Sequence, residues 1–465
     1  MRVEVRNRSL KILPTLMDSK VLQAIKEALM VYNPLTGPVT DIRIHFPRST
    51  DIKMYAGAAE HYNLEAINLS GILGIIPAGG KGAILSHVFM GTIGEAIERF
   101  LSILRAEEIK NEIIYATPRD MKKKGYNILG PDKLYFFANH QYAQKNFPFK
   151  PFTDHSYVGW VKGRNVLTNE EVYAPAQLTL FGYRPIRGED RICYSSSAGL
   201  VTHVSKKDAL YHGFCELIER DAINIRWVCN IPPKEIVFEN TELLHKLLPE
   251  FPFDNPFMVL RVYDWSLDIS DIYVVTIHCV NMSLKLLNYY PGGGADLSFF
   301  DALIKAFGEV GQANILSTIL TKLGLLPWMK VSPDADFSEI DNVYKVIVYY
   351  SYDKNLRKVE DFYSRAEKIQ FSTITPKHHR KKDDKYEKLL NVLKKNNLTP
   401  VYFDLTPDDF TELKLIRTFI PELTMYFSVY GYYGHPRFYT ICKKLGLTNK
   451  ELTYNDLRKD PLPFP

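Results

Sequence analysis

The feature that most constrains this chain is a pair of acids set, twice, inside apolar helical runs. "GTIGEAIERF" (Gly91 to Phe100) and "GFCELIERDA" (Gly213 to Ala222) both carry Glu-x-x-Glu-Arg. Residues three and four apart share a helix face, so Glu95 and Glu98 stand one turn apart with Arg99 in reach of Glu95. Read alone, such a cluster is a surface salt bridge worth roughly a few tenths of a kcal/mol. Its neighbours argue otherwise. Ile93, Ala96, Ile97, Phe100, Leu101, Ile103 and Leu104 spread around most of the first helix, and Phe214, Leu217, Ile218, Ala222, Ile223 and Ile225 surround Glu216 and Glu219. Like charges bordering packed surface repel more strongly as the dielectric falls. Something cationic must offset them.

One arginine per copy, Arg99 and Arg220, goes part of the way. A divalent ion shared by carboxylates from several helices would do more. Hard oxygen donors with no soft ligand nearby point to magnesium, which keeps few protein ligands and usually accompanies phosphates. A third helix, after "PGGGADLSFF", supplies Glu309 and Gln312 at the same spacing, and an acid plus an amide suits a site for metal and nucleotide together. "AGGKG" (Ala78 to Gly82) and "GGGAD" (Gly292 to Asp296) read as glycine loops offering backbone amides, with Lys81 a point charge for phosphate. Neither has the Walker spacing, and a glycine run taken singly is more often a plain turn. The run Ser195–Ser197 either contacts phosphate or ribose, or caps the helix that follows.

Composition sets the frame. The 465 residues are 46% hydrophobic and 24% charged, as in an ordinary globular protein. A net charge of +5 allows an anionic ligand but shows no concentrated basic stripe of the kind nucleic-acid binders carry. Five scattered cysteines without a Cys-x-x-Cys pair argue against structural zinc and a disulfide scaffold, and fit a reducing, cytoplasmic setting. "MRVEVRNRSLKILP" has no apolar core of a signal peptide, and no run nears the roughly 20 apolar residues of a membrane span. Along the chain the pattern predicts a short strand at the start, a helix over Asp18–Tyr32, an alternating strand in "TDIRIHFP", and strands in Val158–Thr168 and "IYVVTIHCVNM". Three long helices alternate with them, giving an α/β (α+β) class. "PKHHRKKDDKYEK" reads as a solvated loop, and His378–His379 within it lack a third metal ligand. His435 in "GHPRF" reads as structural. Nothing around Ser195–Ser197, His203 and His212 resembles a nucleophile elbow.

These elements together resemble the YcaO family, from about Gly71 to the C-terminus and most closely over "SSSAGLVTHVSKKDALYHGFCELIERDAINIRW". The family's Glu-x-x-Glu-Arg-Asp-Ala is present as Glu216, Glu219, Arg220, Asp221 and Ala222; Gly80–Gly82, Glu95, Glu98, Arg99, Gly292–Gly294, Glu309 and Gln312 match its other motifs. Gly91 stands where the family places serine, Ala198 where a polar residue is common, His203 where glycine is, and His212 where glutamine or a small residue is. The resemblance implies a domain over 71–465 with mixed sheets and long helices around a central ATP–Mg2+ site, and a segment 1–70 packed on it. It implies Glu95, Glu98, Glu216, Glu219 and Glu309 as metal ligands, and Lys81, Glu95, Arg99, Ser196, Ser197, Arg220 and Gln312 against ATP. It implies ATP-dependent cyclodehydration of Cys, Ser or Thr in a precursor peptide to an azoline, with thioamide or amidine formation, or a non-catalytic scaffold of a modification complex, as the alternatives. The "PLPFP" end looks like the Pro-x-Pro-x-Pro tail of azoline-forming members and makes the carboxylate of Pro465 the first candidate base, with His203 and His212 next and His435 also considered. The stretch before Gly71 is too short for an E1-like domain. Leader recognition is thus expected from a separate E1-like partner, alongside a flavin dehydrogenase and with homodimerisation open; neither nucleic acid nor a membrane span is expected.

Overall fold

A computed structural model describes residues 19–33, 35, 37, 39–61, 78–324, 327–335, 339–340, 343–374, 384–425 and 431–464. The strand expected at the start, His378–His379 and Pro465 fall outside them. After helix α1 (Ser19–Met30), the alternating "VTDIRIH" forms β1 (Val39–His45), which pairs antiparallel with β2 (Tyr55–His61) and through it with the two-residue β3 (Lys81–Gly82). Helix α2 (Leu85–Glu108) follows directly.

A six-stranded sheet is built from β4 (Ile114–Ala116), β5 (Val158–Asn165), β6 (Glu171–Pro175), β7 (Leu200–His203), β13 (Val401–Asp404) and β14 (Lys414–Phe419). Its order is β4-β5-β13-β14-β7, with β6 on β5. Helix α3 (Lys206–Val228) leaves β7. A five-stranded sheet, ordered β11-β10-β9-β8-β12, comprises β8 (Lys234–Val237), β9 (Met258–Asp264), β10 (Tyr273–Asn281), β11 (Tyr289–Asp296) and β12 (Glu367–Gln370). Helix α4 (Phe299–Leu323) leaves β11, and α5 (Val343–Tyr350) comes later. The three sheets thus each end on a strand, β3, β7 or β11, that feeds one long helix.

The expectation of a loop at "GGGAD" is corrected: the segment is the second half of β11, buried throughout. Its glycines are set by packing. A Cβ on Gly292 would meet the Ala306 carbonyl at 2.0 Å, and one on Gly294 the Ala302 carbonyl at 2.3 Å, so α4 lies on bare strand backbone. "AGGKG" is likewise tied into the first sheet, by the Ala59–Ala78 bridge and a bond from Gly57 N–H to the Gly80 carbonyl.

The main core gathers Trp160, Trp227 and Trp265, all fully buried. The described end of the chain joins it: Leu462 and Phe464 are buried, Phe464 lies edge-on to Trp265 at 5.4 Å, and Tyr350 OH donates to the Pro461 carbonyl. All five cysteines are free and buried. Among the described residues no helix is long and apolar enough to cross a membrane.

Candidate functional site

The acids of the three helices occupy one register. Counting from Leu85, Lys206 and Phe299, each of Glu95, Glu216 and Glu309 is the eleventh residue of its helix, and Glu98, Glu219 and Gln312 follow one turn on. Each eleventh residue accepts a backbone N–H from a glycine in or beside the strand that leads to its helix: Gly79 to Glu95 at 2.9 Å, Gly199 to Glu216 at 3.1 Å and Gly293 to Glu309 at 2.8 Å. Glu98 accepts a fourth, from Thr202 at 3.2 Å. Carboxylates thus tie helices to strands while keeping lone pairs for other partners. Glu95, Glu98, Glu216, Glu309 and Gln312 line one cavity of about 1130 Å³.

The cations sit between the acids. Arg99 donates to Glu95 at 2.9 Å and lies 3.6 Å from Glu98; Arg220 lies 3.9 Å from Glu216 and 4.0 Å from Glu219. Lys81 crosses from β3 to Glu309 at 2.9 Å. This leaves the inner acids undercompensated. Burial pushes the Glu98 carboxyl up to about 8 against the pull of Arg99, with Glu95 and Glu216 adding to the rise. Burial likewise lifts Glu219 to about 7, opposed by Arg220 and reinforced by Glu309 and Glu216. Burial also works against the Glu309 charge, yet Lys81, Arg220 and the Gly293 N–H together hold that carboxyl below its usual range.

Sequence reasoning missed Arg417. It is buried on β14, donates to the carbonyls of Ser196 at 2.7 Å and Leu178 at 3.1 Å, and faces the charges of Glu216 and Glu98. A signal was present: an arginine in the middle of the apolar strand "KLIRTF" needs a buried acceptor. Ser195–Ser197 do not cap α3, because β7 intervenes and Ser205 is the N-cap, accepting from Asp208 N–H at 3.4 Å. Ser195 bonds to the Leu180 carbonyl, Ser196 accepts from Ala198 N–H, and Ser197 lines the cavity.

His203 and His212 also line the cavity, with ring centroids 5.7 Å apart. Burial lowers both, His212 to about 4 with help from Lys305 and His203, so both imidazoles are neutral at physiological pH. His435 is buried elsewhere, with Nε2 on the Pro421 carbonyl at 3.1 Å and Nδ1 accepting from Arg437 N–H at 3.2 Å. Both ring nitrogens are engaged, and its role is structural. The tail before Pro465 is buried in the core through Leu462 and Phe464.

The donor set fits a divalent cation with phosphate. Arg99 Nε and Nη1 are buried without a hydrogen-bond partner, which calls for an acceptor from outside the chain. The raised Glu98 and Glu219 call for further positive charge. Among the described residues no three acids, histidines or cysteines converge closely enough to hold an ion unaided. The acids that the sequence reading gave to a shared ion lie against Arg99, Arg220 and Lys81. An ion here would take part of its oxygen shell from phosphate or water, as magnesium does.

Three acid-bearing helices facing one cavity, with cations between them and hard oxygen donors, define a site for a metal–nucleotide complex. The family model described as YcaO cyclodehydratase, ATP- and Mg2+-binding, matches residues 79–424, and the chain belongs to that family. ATP and Mg2+ are its cofactors. A protein of Methanothermobacter thermautotrophicus of uncharacterised function is 26% identical over 237 residues, 50% of this chain and 56% of its own. A heterocyclase solved in complex with substrate and cofactor superposes with a TM-score of 0.70 at 20% identity, over 95% of this chain and 57% of its own. YcaO from Methanopyrus kandleri, bound with AMPPCP and Mg2+, gives 0.58 at 16% identity over 88% and 90%. The E. coli microcin synthetase McbBCD complex gives 0.57 at 16% identity over 93% and 98%. These likenesses establish the YcaO-type fold of mixed sheets and long helices. The chain spans a little over half the length of the Methanothermobacter relative and of the heterocyclase.

Proposed function

We propose that this chain is an ATP-dependent cyclodehydratase that closes a Cys, Ser or Thr side chain of a ribosomally made precursor peptide onto the preceding backbone carbonyl, giving an azoline with loss of one water. The observation that carries this reading is the common register of Glu95, Glu216 and Glu309 around one cavity. ATP, when bound, supplies the phosphoryl group that makes the amide-derived oxygen a leaving group.

The chain's own residues supply the rest. Glu95, Glu98, Glu216, Glu219 and Glu309 would hold Mg2+, and Lys81, Arg99, Arg220 and Gln312, with Ser196 and Ser197, would orient the phosphates. Much of the gain is positioning and electrostatics fixed in advance. His203 or His212, neutral and facing the cavity, would take the proton of the attacking hydroxyl or thiol; the carboxylate of Pro465 is the competing base. A separate leader-binding partner of E1 type would present the peptide and a flavin dehydrogenase would oxidise the ring, in a reducing cytoplasm that fits five free thiols. Microcin synthetase McbBCD has been solved as a complex, with and without pro-MccB17 bound, which supports a multi-protein assembly.

Reconstitution with the partner and a precursor peptide should give ATP-dependent loss of one water per modified residue, read by mass spectrometry. Glu216→Ala combined with Glu219→Ala should abolish it, and full activity in that variant would sink the assignment. Dependence of the product on added sulfide would instead favour thioamide formation.

A further inference from the structure

Glu27 lies on α1, outside the acid-bearing helices, and is buried. Its carboxylate is held in a cradle of consecutive backbone amides. Oε1 accepts from Thr411 N–H at 3.0 Å, Thr411 Oγ1 at 2.7 Å and Glu412 N–H at 3.1 Å; Oε2 accepts from Glu412 N–H at 3.1 Å and Leu413 N–H at 2.9 Å. Successive amides of this kind form an anion nest, and here the anion is a side chain from 384 to 386 residues earlier in the sequence.

The residues beside this junction line the cavity. Ala28, next to Glu27, and Leu413, the last amide of the cradle, both line it. They share its lining with Ile315, Leu316 and Ile319 of α4 and Tyr344 of α5.

We infer that Glu27 is a positioning residue: it latches α1 onto the 411–413 segment and so holds the wall of the cavity that Ala28 and Leu413 form closed around the nucleotide. The inference rests on the reading that the cavity takes Mg2+ and ATP. The latch depends on a carboxylate. Glutamine in its place would set an NH2 group against backbone donors, and alanine would leave the amides without their acceptor.

The test is binding, not turnover. Calorimetry with Mg2+ and a non-hydrolysable ATP analogue on the full chain should give a Kd at least tenfold weaker for Glu27→Gln than for the wild type. Hydrogen exchange over residues 19–31 should slow on ligand binding in the wild type and stay fast in the variant. Ala28→Leu, which leaves the Glu27 carboxylate in place but adds bulk to the cavity wall, should also weaken binding. A wild type that fails to bind the analogue would remove the functional reading itself. A wild type that binds, with Glu27→Gln and Ala28→Leu binding equally well, would overturn the latch alone.

Discussion

Gly91 and Gly292 look alike in the sequence and differ in what their missing side chains permit. A Cβ on Gly91 meets only the Gly80 Cα, at an ordinary 3.6 Å. Glycine is a poor helix former, so Gly91→Ala should raise stability by up to about 1 kcal/mol in urea unfolding. On Gly292 the same atom meets a helix carbonyl at 2.0 Å. Neither β11 nor α4 has room to retreat, and Gly292→Ala should cost about 3 kcal/mol or more. Glu219 sets function against stability at a single residue. Its carboxyl is buried, lifted to about 7, and repelled by Glu309 and Glu216. Glu219→Gln should leave the ligand-free melting temperature equal or higher, because the like-charge repulsion is gone. It should also abolish the rise in melting temperature that Mg2+ with ATP produces, and cost about a hundredfold or more in kcat/KM in the reconstituted reaction. Differential scanning fluorimetry and steady-state kinetics check the two halves.

The elements obey a shared plan: edge strand, turn, helix, and a carboxylate at the eleventh helical position that reaches back to a glycine N–H. Two of the three helices start at a serine N-cap, Ser205 for α3 and Ser298 for α4, whereas α2 starts at Ile84 with no side-chain cap. Ser298→Ala should therefore cost about 1 kcal/mol in urea unfolding. The acids themselves were legible in the sequence, because Glu-x-x-Glu-Arg among apolar residues has few explanations besides a shared charged site. The three long helices, β1, β5 and β10 followed from periodicity and turn residues. The strand "GGGAD" did not, since three glycines carry turn propensity and only the approach of α4 makes them a strand. Arg417 was signalled only by its place in an apolar strand and Glu27 not at all, because the partners of both come from elements far away in the chain.

Over the whole molecule, buried neutral histidines make stability depend on pH. His278 is buried against Tyr289 and Tyr363, and burial with the charge of Arg261 holds its imidazole down to about 3. Below about 6.5 the unfolded chain takes up a proton that the folded chain refuses, so stability falls as the pH drops through that window. Going from pH 7.5 to 5, this residue alone should remove about 2 kcal/mol. The apolar variant His278→Phe should lose less over the same interval by that amount, measured by chemical denaturation at each pH; equal losses would discount the histidine. The five buried thiols have a consequence of a different kind. Cys193 leads into the serine segment, Cys215 and Cys229 sit along and just beyond α3, Cys279 is toward the C-terminal end of β10, and Cys442 is near the end of the chain. A thiol-reactive dye must wait for each neighbourhood to open before it can attach. The native chain therefore carries its own set of five timers, and mass mapping of the labels would rank its regions by how often they breathe without introducing a single probe.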